Sequence, residues 1–356
     1  MTTRHQVDLN GEAYTVVDAA DTVYQAVLVG SATDEIFGAM AAPGFKVQLT
    51  RADLGAKAFP NGSYGISGYP AQSFPQLATT NYTIDYILAA PGYQARHVTS
   101  IISIGASLPV AETAAMRRLP VRIRGQVVSY ATRMPMAGAL IRSIDDPSTP
   151  PSVHITAVRS PLSFAHASGV PVQQVTIAVT GTLHLAQAVH GGDTVLNLTS
   201  RAGLSPGSVV RITSGSGMRM EYGVVDSLGP GAPSDPGTVL FRNSIDRSYT
   251  VAETTVEIVD AHPLGATASL SADADRGDGV LLASQLFNQT VAIESGSPQA
   301  EIREVGALSD SDGYYGLDGI GRTQRVFLQA SQGALQQNAE WFVQYDQPVN
   351  SVDFRF

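Results

Sequence analysis

Hydrophobic and polar residues alternate with a period of two along most of this chain. The segments "GFKVQLT" (44–50), "NYTIDYILAA" (81–90), "PVRIRGQVV" (120–128), "QQVTIAVTGTLHL" (173–185), "TTVEIV" (254–259) and "QRVFLQAS" (324–331) each put apolar side chains on one face, which predicts half-buried strands. Helical spacing is scarce. The exception is "SLPVAETAAMRRL", Ser107 to Leu119, where alanine-rich composition and acid-before-base order predict a short helix or linker.

Two places share a finer pattern. Asn61-Gly62-Ser63-Tyr64-Gly65-Ile66-Ser67-Gly68 and Asp312-Gly313-Tyr314-Tyr315-Gly316-Leu317-Asp318-Gly319 both set a turn pair, then a tyrosine, a glycine, an aliphatic residue and another glycine. Asn-Gly and Asp-Gly supply the positive φ of tight hairpins, and the residues that follow alternate inward and outward. The surroundings agree. "DEIFGAMAAPGFKVQLTR" (34–51) precedes the first copy, and "YTIDYILAAPGYQARHVTSIIS" (82–103), with its "AAPGY" from Ala89 to Tyr93, follows it. This order of strands and turns over residues 20–106 resembles the carboxypeptidase regulatory-like family. The resemblance implies a transthyretin-like sandwich of about seven strands and no catalytic zinc site.

"VRIRGQVVSYATRMPMAGALIRSID", Val121 to Asp145, is similar to the opening of the same family, but its hairpin arrives only at Asp312 to Tyr315. The second sandwich is therefore expected to be split. Insertion at a loop tip is tolerable because closure cost grows slowly with loop length. Within the insertion, residues 191–229 and 277–308 resemble the small β-barrel or β-clip units of phage tail and fibre proteins. The expected fold is all-β: two transthyretin-like or Ig-like sandwiches, the second carrying an inserted barrel or clip. The expected division is an N-terminal arm plus first sandwich (1–106), a linker or short helix (107–119), a split sandwich (120–147 and 301–356) and an inserted β domain (148–300).

Composition agrees with this picture. At 356 residues the chain is long enough for several cores, and 44% hydrophobic against 15% charged residues is too apolar for disorder. The 34 glycines and 20 prolines punctuate it too often for long helices. A net charge of −9 argues against nucleic-acid binding, and Arg117, Arg118, Arg122 and Arg124 read as a solvated strand edge. There is no cysteine, so disulfides, thiolate metal sites and cysteine nucleophiles are excluded. The opening "MTTRHQVDLNGEAYTVVDAAD" lacks the apolar core of a secretory signal, and no run approaches the ~18 apolar residues of a membrane span. The expectation is cytoplasmic synthesis without membrane insertion, and release, if any, as part of a particle.

Candidate chemistry is sparse. Asp273, Asp275 and Asp278, and Asp310 with Asp312, are weak calcium candidates whose spacing departs from a calcium loop; they read better as turn residues, and no cofactor is expected. Arg276-Gly277-Asp278 is a chance adhesion tripeptide. His184 and His190 are the nearest histidine pair but have no orienting acid, and no hydrolase or phosphate-binding motif occurs. The C-terminal aromatics alternate as core residues do. A sharper reading lets the terminal "DFRF" strand or the N-terminal arm pair with a neighbouring subunit, with Tyr14, Val16, Trp341, Phe354 and Phe356 as interaction candidates. The expected function is a noncatalytic subunit of a phage-tail-like particle or extracellular contractile injection system, in a cap, baseplate or fibre-attachment position. Its partners would be other protein subunits, in a symmetric homo-oligomer or a mixed assembly. The rival is a surface module that binds glycan or peptide.

Overall fold

The structure is a computed structural model, and it describes residues 2–9, 12–19, 25–40, 42–68, 80–149, 151–215, 219–294 and 300–356. Every helix or strand assigned among them is a strand. All six alternating segments lie in strands, because a period of two suits only a pleated, half-buried surface. The chain divides into two units, residues 1–119 and 120–356.

In the first unit, β1 (Thr2–Leu9) and β2 (Glu12–Ala19) pair antiparallel from Thr2↔Ala19 to Leu9↔Glu12. They form a sheet of their own. The sandwich follows, built from β3 (Gln25–Asp34), β4 (Lys46–Leu49), β5 (Leu54–Ala58), β6 (Ser63–Gly68), β7 (Tyr82–Ala89), β8 (Arg96–Ile102) and β9 (Val110–Met116). One sheet has the order β5-β6-β3-β9 and the other β4-β7-β8. Leu28, Ile66, Ile84, Tyr86, Leu88 and Met116 fill the space between them and are shielded from solvent. Burying each contributes roughly 1.5–3 kcal/mol.

Strand β9 corrects the expectation of a helix or linker at 107–119. It runs parallel to β3 from Leu28↔Val110 to Asp34↔Met116 and buries Ala114 and Met116. Alanine's helix preference amounts to a few tenths of a kcal/mol per residue. A ladder of paired backbone groups and a buried methionine outweigh it.

The second unit holds another sandwich. Its early strands are β10 (Val121–Val128) and β11 (Leu140–Ile144). Its late strands are β22 (Ala307–Leu308), β23 (Tyr314–Ile320), β24 (Arg325–Gln332), β25 (Leu335–Phe342), β26 (Val349–Ser351) and β27 (Phe354–Arg355). One sheet runs β23-β10-β26, with β27 also pairing β10, and the other runs β22-β11-β24-β25.

Between them lie β12 (His154–Ala157), β13 (Pro171–His184), β14 (Val195–Leu198), β15 (Val209–Ser214), β16 (Arg219–Leu228), β17 (Gly237–Phe241), β18 (Thr254–Ser269), β19 (Val280–Ala283), β20 (Val291–Ile293) and β21 (Glu301–Arg303). Eight of these form one sheet, β14-β17-β16-β15-β18-β13-β20-β21. The Leu185↔Leu198 bridge brings the end of β13 back to β14 and closes a small barrel around Leu196, Val210, Ile212, Val225 and Val256. Register shifts in β13, at Gln173/Val175 and Val179/Gly181, are the bulges that let so long a strand bend.

The two sandwiches repeat each other in detail. Gly62 (φ 86°) and Gly313 (φ 75°) occupy the hairpin turns in the left-handed region. The Gly62 carbonyl accepts the Ala32 N–H of β3 at 2.8 Å, and the Gly313 carbonyl accepts the Val127 N–H of β10 at 2.8 Å. Buried Tyr64 stands opposite Gly30, and buried Tyr315 opposite Gly125. A Cβ on Gly30 would overlap the Tyr64 ring, and one on Gly125 would overlap the Val352 carbonyl and crowd the Tyr315 ring. On its other side β3 takes a parallel neighbour, as does β10.

Candidate functional site

Three kinds of feature compete for a functional role: unpaired strand edges, a buried ionic cluster and a charged cleft. The edges come from topology. Among the described residues, β1 and β2 pair with each other alone, and β25 pairs with β24 alone. Strand β25, "LQQNAEWF", has no lysine or proline to block addition of another strand, and Phe342 at its end is 64% exposed.

The interaction candidates separate accordingly. Tyr14 and Val16 lie on β2, opposite Val7 and His5, while their side chains lie outside the described residues. Phe354 is corrected: it is wholly buried, 5.9 Å from the Tyr315 ring centroid, and belongs to the core. Trp341 and Phe356 pack against the same core, and the indole Nε1–H of Trp341 donates to Asn350 Oδ1 at 2.8 Å. The "DFRF" strand is used internally, because β27 pairs in parallel with Val127 and Val128 of β10.

The acidic turns are held by their own neighbours. Asp273 accepts the Ser168 amide, and Asp278 accepts the Asp275 amide. The Arg322 guanidinium lies 3.8 Å from Asp275 and 3.4 Å from Asp278, so a fixed cation already faces this turn. Asp278 is buried, which withdraws the Arg-Gly-Asp tripeptide from display. Asp310 Oδ1 accepts the amides of Asp312 and Tyr314, the hydrogen-bond pattern of an Asx turn. Among the described residues no cluster of three or more His, Asp or Glu side chains forms a metal-ligand set. His184 and His190 are exposed on the barrel.

The ionic cluster escaped the sequence reading. Glu301, 3% exposed, accepts the Ser163 and Phe164 amides and binds Arg303 Nη2 and His166 Nε2, each at 2.6 Å. His166 Nδ1 lies 3.2 Å from Glu294, close enough for an ion pair though not aligned as a hydrogen bond. Burial alone would push the imidazolium down, but the Glu301 and Glu294 carboxylates hold its pKa above the ordinary histidine value. Burial would likewise raise Glu301, yet Arg303 and His166 hold it below the ordinary carboxylate value. His166 and Glu301 are 135 residues apart, so no local pattern could announce them. The cluster is enclosed, and its geometry fits a structural brace.

The cleft is open. About 590 Å³ of space lies between strand β23 with its preceding turn and the barrel segments around Gly215, Arg219 and Arg247. Arg124, Arg159, Arg219 and Arg247 line it together with the carboxylates of Glu253, Asp310 and Asp318. Arg124 is committed to Asp318 at 2.6 Å. Among the described residues the other three form no ion pair with a carboxylate. Arg219 donates to the Ser248 carbonyl, and Arg247 to the Arg159 carbonyl at 3.3 Å. Arg159 is 7% exposed; among the described residues its Nη1 meets the Met220 sulfur at 3.7 Å and its Nε has no hydrogen-bond partner. Burial pushes its pKa below the ordinary arginine value, Glu304 opposes that, and Arg247 adds to it. Tyr314, 57% exposed, gives the cleft an aromatic wall. The sequence marks Asp310 as a turn residue and Arg124 as part of a solvated strand edge, whereas Arg159, Arg219 and Arg247 come from three further segments that no pattern marks.

No family model matches the chain, and no curated protein matches it. Among solved structures, the major pilin subunit of Bacillus cereus aligns at 8% identity and a TM-score of 0.19, covering 94% of this chain and 99% of the pilin. The Bacillus anthracis TIE protein aligns at 9% identity and a TM-score of 0.12, covering all of this chain and 74% of its own. At these scores neither match bears on fold or function.

Proposed function

We propose that the chain is a noncatalytic structural subunit that assembles with other protein subunits, in a particle of the phage-tail-like or extracellular contractile-injection kind, as a cap, baseplate or fibre-attachment component. The observation that supports it is the β1–β2 hairpin, which forms a sheet of its own. An isolated two-stranded hairpin is at best marginal in water, so its edges are stabilised by pairing with a neighbour. The open edge of β25 offers a second such contact. The particle class rests on the resemblance of residues 191–229 and 277–308 to tail and fibre units. In this reading the sandwiches act as rigid spacers, and the hairpin and edge strands make the joints.

The test compares the full chain with a variant lacking residues 1–19, by light scattering and by incorporation into particles assembled with sheath and tube subunits. Assembly by the full chain, lost in a variant that still folds, supports the reading. A full chain that stays a monodisperse monomer and joins no particle overturns it. A second reading, a surface module that binds glycan or peptide, is favoured by the arginine-lined cleft and is compatible with assembly.

A further inference from the structure

The residues that line the cleft carry more positive than negative charge. Its four arginines face three carboxylates, which leaves one cation in excess. Arg159 and Arg247 are neighbours of like sign, and neither forms an ion pair with a carboxylate among the described residues. The Arg247 guanidinium rests against the Arg159 carbonyl, near enough for the two like charges to repel, and burying Arg159 without a carboxylate partner is costly. Glu304, the acid that acts most strongly on Arg159, is already engaged by the Tyr222 and Thr290 hydroxyls. An anion entering the cleft would relieve both costs.

The lining also selects which anion. Carboxylates at Glu253, Asp310 and Asp318 would repel a dianion such as phosphate, but they accept hydrogen bonds from hydroxyl groups. Tyr314 presents an exposed ring, the surface on which the apolar face of a pyranose stacks. The volume suits a ligand of one or two sugar rings. We propose that this cleft is a binding site for an acidic saccharide, a sugar bearing one carboxylate per recognised unit, with Arg159, Arg219 and Arg247 holding the carboxylate and the acidic wall taking the hydroxyls. The proposal rests on the reading of the chain as a surface-binding module and commits that reading to a ligand class and a place.

The experiment titrates the full chain calorimetrically with oligogalacturonate, a glucuronate-containing disaccharide and sialyllactose. Lactose, an aspartate-rich peptide and inorganic phosphate are titrated alongside. The expected result is binding of at least one acidic saccharide, weakened about tenfold or more by Arg219→Gln or Arg247→Gln, since a hydrogen bond to a charged group contributes at about that level. Binding should also weaken as salt rises. Arg219 is exposed and Arg247 partly so, and a thermal melt of each variant establishes that it is folded. Acidic saccharides that bind no better than lactose or phosphate overturn the proposal, as does acidic-saccharide binding that both variants leave unchanged. Binding of lactose or peptide alone, abolished by the same variants, overturns the ligand class and leaves the binding-module reading standing. Binding of none of the six overturns both.

Discussion

The two sandwiches of this protein solve the same packing problem with chain in different order. In the first, β3 meets β6 within residues 25–68, so the pair closes locally. In the second, β10 meets β23 from Val121↔Ile320 to Gln126↔Tyr314, with the barrel threaded between them. The contacts are nevertheless the same: a turn glycine whose carbonyl accepts from the first strand, and a tyrosine buried over a facing glycine. A sheet depends on which backbones meet and not on how far apart they lie in the chain. The interruption is tolerated because the inserted region brings its own ends together. The Gly306 N–H donates to the Ala157 carbonyl and the Arg159 N–H to the Glu304 carbonyl, both at 2.8 Å, so entry and exit run side by side. Ala157 and Val280 from the insertion also join the sandwich core. The expected cost is kinetic, since long-range pairing folds more slowly than local pairing.

The comparison can be broken hardest inside the insertion. Glu301→Gln leaves Arg303 buried without its anion and His166 with Glu294 alone, and should destabilise the second unit by about 3–5 kcal/mol, with the first unit unaffected in denaturant unfolding. If both units lose stability together, their thermodynamic independence is refuted. Next come Gly30→Ala and Gly125→Ala. Gly30→Ala drives a methyl into the Tyr64 ring and Gly125→Ala drives one into the Val352 carbonyl, and each should cost about 3 kcal/mol, in the first and second unit respectively. A large effect in one and none in the other would show that the repeat is superficial.

Smaller effects sharpen the contrast. The Tyr64 and Tyr86 hydroxyls lie 3.0 Å apart, while the Tyr315 hydroxyl donates to the Val352 carbonyl at 2.6 Å. Tyr64→Phe and Tyr315→Phe should each cost about 1 kcal/mol, with Val352 left short of a donor only in the second.

Both units hold a buried carboxylate whose pKa is lowered, Asp34 in the first and Glu301 in the second, and the second adds a histidine whose pKa is raised. Asp34, buried in the first, accepts the Ile36 and Phe37 amides, the Tyr93 hydroxyl at 2.7 Å and Arg118 at 2.6 Å. Burial opposes ionisation, but the Tyr93 and backbone hydrogen bonds and Arg118 hold its pKa below the ordinary value of 3.8. Its contribution is therefore present above that pH and lost as pH falls through the depressed pKa. The His166 pKa is raised, so its contribution is full below the ordinary 6.5 and lost as pH rises through the raised value. Unfolding of the second unit followed across pH should show this loss, and His166→Gln should remove it. A slope that survives the substitution assigns the effect to another group.

The all-β class was legible in the sequence, because alternation of side chains is a property of a strand by itself and needs no partner. The Asp-Gly and Asn-Gly turns were legible for the same local reason: their left-handed φ belongs to the glycine. Local rules failed where the partner was remote. Residues 110–116 carry helix-favouring alanines, and only the presence of β3 alongside made them a strand. Phe354 looked free to pair with a neighbour until β10 and Tyr315 enclosed it. His166 and Glu301, and the arginines of the cleft, come from segments with no pattern in common. Charges attract or repel across a few ångströms of space, and only the tertiary structure decided which charges came within that distance.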